Sequence, residues 1–347
     1  MFVPLVMHDA LVRPARSFDV QRSTGPRATG SRGEPSSDLN AAAVRVTGVI
    51  PSTLTEQVNP HTADLDALTT LDQVRRMNDE DQLVAPAVRA ADMAIAAAVE
   101  GVVSRLRPRP DGSPGGRLFY LGAGTPGRLG ILDASEVPPT FGSDQVIGII
   151  AGGRHAVQHS VENAEDDHDQ GAADLDAHGL TAGDAVIAIA ASGHTPYVLG
   201  GIGHARRLGA FTAAIVCNPG SPIGAAAQVP IEVLVGPEVI TGSTRLKSGT
   251  AQKLVLNTIS TLVMVQLGKT YGNLMVDVSG NNEKLQRRAV WLVSTVTGVD
   301  EVDAAAALAK TDGSVKVACV VLLTGSSPDQ ARALLKQHNG FLRAAVS

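Results

Sequence analysis

Apolar positions along this chain fall into two alternating patterns. Leu71, Val74 and Met77 recur three apart, and residues 87–103 are dense in Ala and Val. That spacing predicts helix over residues 69–107, in two parts around Pro86, whose ring removes a donor N–H. Five short apolar runs follow, at residues 118–121, 146–151, 185–190, 213–217 and 231–235, with Gly, Pro or Asn around them. Runs of this kind mark parallel strands covered on both faces. Helix-like stretches separate them, so the fold class is α/β: a layered, mostly parallel sheet flanked by helices and joined by right-handed crossovers. Ligands of such sheets lie beyond the carboxyl ends of the strands. A long helix is expected over residues 250–267, and another from Glu283. Beyond Gly298, stretches 301–310, 315–323 and 328–338, punctuated by Gly313, Gly325 and Gly340, predict a small three-helix C-terminal region.

Residues 1–50 have no sustained period. They hold Arg13, Arg16, Arg22, Arg27 and Arg32 among Ser, Gly and Pro. A signal peptide is not expected, because the apolar stretch from Phe2 to Met7 is short and His8-Asp9 interrupts it. The expected organisation is a flexible extension over 1–50, a sheet domain over 51–297 and a helical domain over 298–347.

Composition narrows the class. Of 347 residues, 44% are hydrophobic and 18% charged, enough to bury a core. Aromatics are only 3%, so Ala, Val, Leu and Ile must fill that core. The net charge of −5 gives no electrostatic reason to expect a nucleic-acid partner. No apolar run approaches the ~18 residues of a membrane helix. Cys217 and Cys319 match no metal or redox spacing and fit a reducing compartment. A soluble, cytoplasmic protein is expected.

Candidate chemistry concentrates in two loops. Arg117-Leu-Phe-Tyr-Leu-Gly-Ala-Gly-Thr-Pro-Gly127 reads as strand, glycine turn and helix start. Gly124 lets the backbone approach a ligand, and the N–H groups around Thr125 favour an anion such as phosphate. The same Gly-x-Gly-x-x-Gly spacing fits a dinucleotide site, but the next strand runs into Gly152-Gly153-Arg154 instead of an acid. Arg154 alone keeps a dehydrogenase reading open, through a 2′-phosphate. The second loop, Ala190-Ala-Ser-Gly-His-Thr-Pro-Tyr197, places Ser192, Gly193 and Thr195 before Pro196 at a helix start. Its hydroxyls and N–H groups suit a monoester phosphate, whereas a structural reading makes Ser192 a helix cap. His155, His159 and Glu162 fall at i, i+4 and i+7 and, on a helix, would share a face that could hold zinc. The run is not His-Glu-x-x-His, so no metal is expected.

The longer stretch Gly122-Ala-Gly-Thr-Pro-Gly-Arg-Leu-Gly-Ile-Leu-Asp-Ala-Ser-Glu-Val-Pro-Pro-Thr140 resembles the signature of the N-acetylmuramic acid 6-phosphate etherases, members of the sugar isomerase (SIS) fold group. Thr55-Glu-Gln-Val-Asn-Pro60, the second loop, and residues 236–253 (Gly-Pro-Glu-Val-Ile-Thr-Gly-Ser-Thr-Arg-Leu-Lys-Ser-Gly-Thr-Ala-Gln-Lys) resemble the same family. So do Gly272-Asn-Leu-Met-Val-Asp277 and Asn282-Glu-Lys-Leu285. The likeness runs from about Leu54 to the C-terminus. It implies a SIS-type sugar-phosphate domain over 51–297 and a lyase reaction. A D-lactyl ether at C3 of a phosphorylated amino sugar is removed and water takes its place, with no cofactor.

Such an elimination takes a proton from C2 and expels an alkoxide from C3, work for carboxyl groups tuned towards neutrality. The resemblance aligns Glu136 and Glu165 with the family's catalytic glutamates: Glu136 as the acid assisting lactate departure, Glu165 as the base. The bland reading of Glu165 is a solvated acidic run with Asp166, Asp167 and Asp169. Ser243, Thr244, Arg245 and Lys247 are expected at the substrate, with Arg245 or Lys247 meeting the lactyl carboxylate; a plain helix start is the alternative. Two positions depart from the family pattern. Pro126 replaces a usual Ser, and His194 a usual Arg. SIS-type relatives also imply a homodimer. The rival readings are a non-catalytic phosphosugar sensor of the glucokinase regulatory protein type and a sugar-phosphate isomerase.

Overall fold

A computed structural model describes residues 53–109, 113–277 and 283–347. The expected extension over 1–50 lies outside these residues. Helices α1 (Thr70–Asp81), α2 (Val84–Ala90) and α3 (Asp92–Leu106) lead into β1 (Leu118–Gly122), α4 (Gly124–Phe141), β2 (Val146–Ile150), α5 (His168–Ala177), β3 (Ala185–Ala190) and α6 (Pro196–Leu208). The chain continues through β4 (Phe211–Val216), α7 (Pro222–Ala226), β5 (Val229–Glu232) and the long α8 (Lys247–Gln266). A small hairpin, β6 (Thr270–Tyr271) and β7 (Leu274–Met275), precedes α9 (Glu283–Thr297), α10 (Glu301–Lys310), α11 (Val315–Thr324), α12 (Pro328–Gln337) and α13 (Leu342–Ala345).

β1 to β5 form one parallel sheet in the order β2-β1-β3-β4-β5. β1, β3 and β4 read as almost continuously apolar because both their faces are covered, whereas the edge strand β5 carries the exposed Pro230 and the half-buried Glu232. Leu118, Tyr120, Ile187, Ile189 and Ile215 point into a core shared with α3, α4 and α8. Their alternating neighbours Phe119, Leu121, Val186, Ala188 and Val216 face a second core under α5, α6 and α7. The α/β class expected from the pattern is therefore the observed one. Strand order reverses at β1, with β2 on one side and β3 on the other. A reversal leaves a crevice at the carboxyl ends of the two central strands. The two glycine loops follow those two strands, so topology alone sets them side by side.

A third core joins α9 to the C-terminal helices through Leu292, Val293, Leu308, Val315 and Leu335, with Val276 from the hairpin side. Residues 283–297, assigned from the pattern to the sheet domain, share this cluster.

Several boundaries differ from expectation. The helix over 69–107 is three pieces, not two. Pro86 sits in the first turn of α2, where a missing N–H costs nothing, and the second break falls at Ala91. β4 and β5 start two residues earlier than their apolar runs suggest, and α8 starts at Lys247, three residues early. The helix that would align His155, His159 and Glu162 is absent. A single five-residue 3₁₀ turn spans Gly153–Val157, and turns and bends follow it.

Candidate active site

The first loop leaves β1 at Gly122 and enters α4 at Gly124. No side chain caps α4, so its first-turn N–H groups, Thr125 among them, are left to a ligand or solvent. Pro126 falls inside this first turn, where it is tolerated. Gly127 lies where an added Cβ would be 2.6 Å from Ile150 Cγ1 and 2.8 Å from the Gly122 carbonyl. Only glycine lets α4 pack this close to β1 and β2.

Opposite the loop runs the segment 160–165. Ala123, Gly124 and Arg128 on one side, and residues 160–165 on the other, enclose a cavity of about 230 Å³. Glu165 lines it. Arg128, not singled out from the sequence, supplies the cation in the wall and donates from Nε to the Val157 carbonyl at 2.9 Å. It stands four residues into α4, on the turn above Gly124. The acids of the run, Glu165, Asp166, Asp167 and Asp169, are all exposed, and Asp167 in addition caps α5 by accepting from the N–H groups of Asp169 and Gln170.

The second loop is held by its neighbours. Gly193 adopts φ +73°, and its carbonyl accepts from Ile223 N–H. Ser192 does not cap α6. Its Oγ accepts from His194 N–H at 3.2 Å, and the α6 N-cap position is Thr195, whose hydroxyl makes no capping bond. His194 turns its ring back to the Ser192 carbonyl at 2.8 Å. Asn218, buried at the end of β4, donates to the carbonyls of Ala191 and Ser192 and to Thr55 Oγ1. Thr55 N–H bonds Asn218 Oδ1 in return. The early motif around Thr55 thus clamps the second loop, a role no local pattern could reveal.

The third segment, Ser243 to Lys247, is also brought in. An added Cβ on Gly249 would lie 3.5 Å from both Thr125 Cγ2 and the Thr244 carbonyl, so Thr244 borders the first loop. Ser243 is half-buried and Arg245 exposed. Lys247 is elsewhere. It is 1% exposed, and its Nζ sits 2.5 Å from Glu80 Oε2 on α1. Its ammonium is therefore not available to a substrate carboxylate, which corrects that expectation. Glu80 also accepts from Asn59 at 2.9 Å and meets His61 at 3.1 Å. Burial raises the Glu80 pKa, but the bonds from Lys247, His61 and Asn59 and the Lys247 charge outweigh it, and the carboxyl lies below the ordinary range. The plain helix-cap reading also changes. Glu238, fully buried, accepts the N–H groups of Lys247 and Ser248 at 2.9 Å each and caps α8 from nine residues upstream.

Glu136 is not brought to the loops within the chain. It stands exposed on α4, about 18 Å along the helix axis from Gly124. Leu132, on the same face, is 53% exposed, and Leu262 on the adjacent α8 is 42% exposed. One turn before Glu136, Asp133 is buried and accepts from Asn257 Nδ2 at 2.6 Å and Ser260 Oγ at 3.1 Å. Beside it, burial and the Asp133 charge push the Tyr120 hydroxyl well above its usual pKa.

The rings of His155 and His159 pack on each other with centroids 4.8 Å apart. Among the described residues, no three His, Cys, Asp or Glu side chains gather in a form that could hold a metal ion. No single described helix is long and apolar enough to cross a membrane.

Residues 95–206 match the model of the glucokinase regulatory protein N-terminal SIS domain, and residues 155–262 match the SIS domain. The N-acetylmuramic acid 6-phosphate etherase of Brucella anthropi is 52% identical over 296 residues, covering 85% of this chain and 94% of that protein. The same-named proteins of Cronobacter sakazakii and Yersinia pestis are each 54% identical, over 297 and 295 residues, covering 85% and 84% of this chain and 98% of theirs. Identity at this level over 84–85% of the chain bears out the motif resemblance: the chain belongs to the N-acetylmuramic acid 6-phosphate etherase family.

Proposed function

We propose that this protein is a carbon–oxygen lyase that converts N-acetylmuramic acid 6-phosphate into N-acetylglucosamine 6-phosphate and D-lactate. The observation that carries the reading is the shared cavity: the first-loop backbone, Arg128 and Glu165 face one another at the switch point of a parallel sheet. The phosphate monoester is held by Gly124 and Thr125 together with Ser192, Gly193 and Thr195, and Ser243, Thr244 and Arg245 border the sugar. Helix-start N–H groups and hydroxyls satisfy a dianion that charges of the same chain would otherwise have to neutralise.

The chemistry follows from the open-chain sugar. The Glu165 carboxylate takes the C2 proton, made acidic by the C1 aldehyde. The C3–O bond breaks, its electron pair leaves with lactate, and Glu136 protonates that oxygen. Water then adds at C3 while a proton returns to C2, so the net change is exchange of lactate for hydroxyl. Positioned acid–base groups of this kind contribute roughly 10²–10⁴-fold each.

Glu136 lies outside the protomer's own cavity, beside exposed Leu132 and near Leu262. Its role therefore requires a homodimer in which this face closes over the site of a second copy. The protein works in the cytoplasm, as its two unpaired, buried cysteines suit.

Incubation of purified protein with N-acetylmuramic acid 6-phosphate should release one D-lactate per sugar consumed. A ketose phosphate without lactate would establish an isomerase instead, and binding without turnover a sensor. Leu132→Glu should convert a dimer of 35.7 kDa chains to monomers and abolish lactate release. A variant that stays fully active as a monomer overturns the shared-site part.

A further inference from the structure

At the amino ends of β1 and β2, the opposite end of the sheet from the glycine loops, a cavity of about 840 Å³ opens between the sheet and the C-terminal helices. That volume is within the usual range of small-molecule sites, ~300–1,000 Å³. Among the described residues its charged wall residues are cations: Arg109, Lys269, Lys316 and Lys336. An adjoining cavity of about 220 Å³ adds Arg107. This is the reverse of the chain as a whole, which carries a net −5.

Among the described residues these charges are not balanced. Lys269 and Lys316 share one carboxylate, Asp277, at 3.1 and 2.7 Å. Among the described residues no carboxylate pairs with Arg107, Arg109 or Lys336. Lys316 is only 7% exposed. A buried ammonium is costly unless an opposite charge meets it, and half of one carboxylate is poor compensation. Burial lowers the Lys316 pKa, Asp277 raises it, and the neighbouring Lys269 lowers it again. Fastening the hairpin to α11 accounts for the two Asp277 bonds. It does not account for the surplus of positive charge or for the space beside it.

We propose that this cavity binds a small molecule bearing a phosphate or diphosphate group, at a second site distinct from the sugar-phosphate loops. Spaced ammonium groups act as point charges for phosphate oxygens, and an entering anion supplies the charge that Lys316 and Lys269 lack. The cavity's volume matches that of a small ligand. The inference stands independently of the lyase reading, since none of these residues belongs to the loops.

The test is hydrogen–deuterium exchange on the full-length protein with inorganic pyrophosphate, against chloride at matched ionic strength. Pyrophosphate should slow exchange at residues 113–116, 267–269 and 336–340. Arg109 and Lys336 are exposed, so Arg109→Glu and Lys336→Glu should fold normally and weaken that protection roughly tenfold or more in apparent affinity. Protection at residues 122–127 and 190–195, from pyrophosphate at the catalytic loops, should be unaltered in both variants. Protection confined to those loops, or second-site protection unchanged in the two variants, overturns the proposal.

Discussion

The backbone N–H of Tyr197 donates to the carbonyl of Glu165 at 3.0 Å. That bond joins the segment opposite the first glycine loop to the first turn of α6, directly after the second loop. The Tyr197 ring is fully buried, and its hydroxyl donates to Asp174 on α5 at 2.6 Å. Glu165 thereby takes its place from the same framework that positions Ser192 and Thr195.

Glu165→Gln should leave the fold intact, because the side chain is exposed at the cavity, and lower kcat for D-lactate release by roughly 10²-fold or more. Glu136→Gln should do the same. Phosphosugar binding, followed by calorimetry, should persist in both. Full activity in either variant removes that glutamate from the mechanism.

Removing one member of the Lys247–Glu80 pair should be worse than removing both. Lys247→Met or Glu80→Gln alone leaves an uncompensated buried group and should cost about 3–5 kcal/mol, and the double variant less than either single change. Urea unfolding of the four proteins measures this coupling. Acid adds a second reading. The carboxyls of Glu80 and Asp184 both lie below their ordinary values of 4.5 and 3.8. For Asp184, bonds from Arg117 and Thr181 outweigh burial. A lowered folded-state pKa contributes stability that is present above the ordinary value and lost as pH falls through the folded one. Stability should therefore decline below about pH 4.5, and the decline should be shallower in Glu80→Gln.

Glu238→Ala strips the cap from α8 and leaves two buried N–H groups unpaired. The expected loss is about 2–4 kcal/mol, by addition of ordinary cap and orphan-donor costs. A melting temperature unchanged from the parent would show that the cap is redundant.

Gly193→Ala should damage the second loop specifically. Its φ of +73° disfavours any side chain, and an added Cβ would lie 2.3 Å from Ser221 Oγ. The strain costs about 1–2 kcal/mol before the clash is counted. KM for the phosphosugar should rise more than kcat falls. An unchanged KM would mean that the loop does not hold the phosphate.

Burial pushes the thiols of Cys217 and Cys319 up to about 12. Neither should react with a thiol reagent at about pH 8 in the native protein, and both should react in denaturant. Rapid native labelling of either would show that its core opens readily.

The sequence by itself determined the α/β class, the positions of the five strands within three residues, both glycine loops and the family. Those features are written in short-range periodicity and contiguous motifs, and the pleat, the helical turn and the glycine torsion read them locally. Only the tertiary structure decided which distant residues meet. Asn218 with Thr55, Lys247 with Glu80 and Arg128 with the cavity wall pair residues from separate elements, and Glu238 reaches the start of α8 from within the connection that leads to it. They are fixed by packing and by the need to satisfy buried charge, and no local pattern carries them. Glu136 shows the same limit: its motif marks it, but only the structure shows that α4 carries it to an exposed position about 18 Å along the helix axis from Gly124.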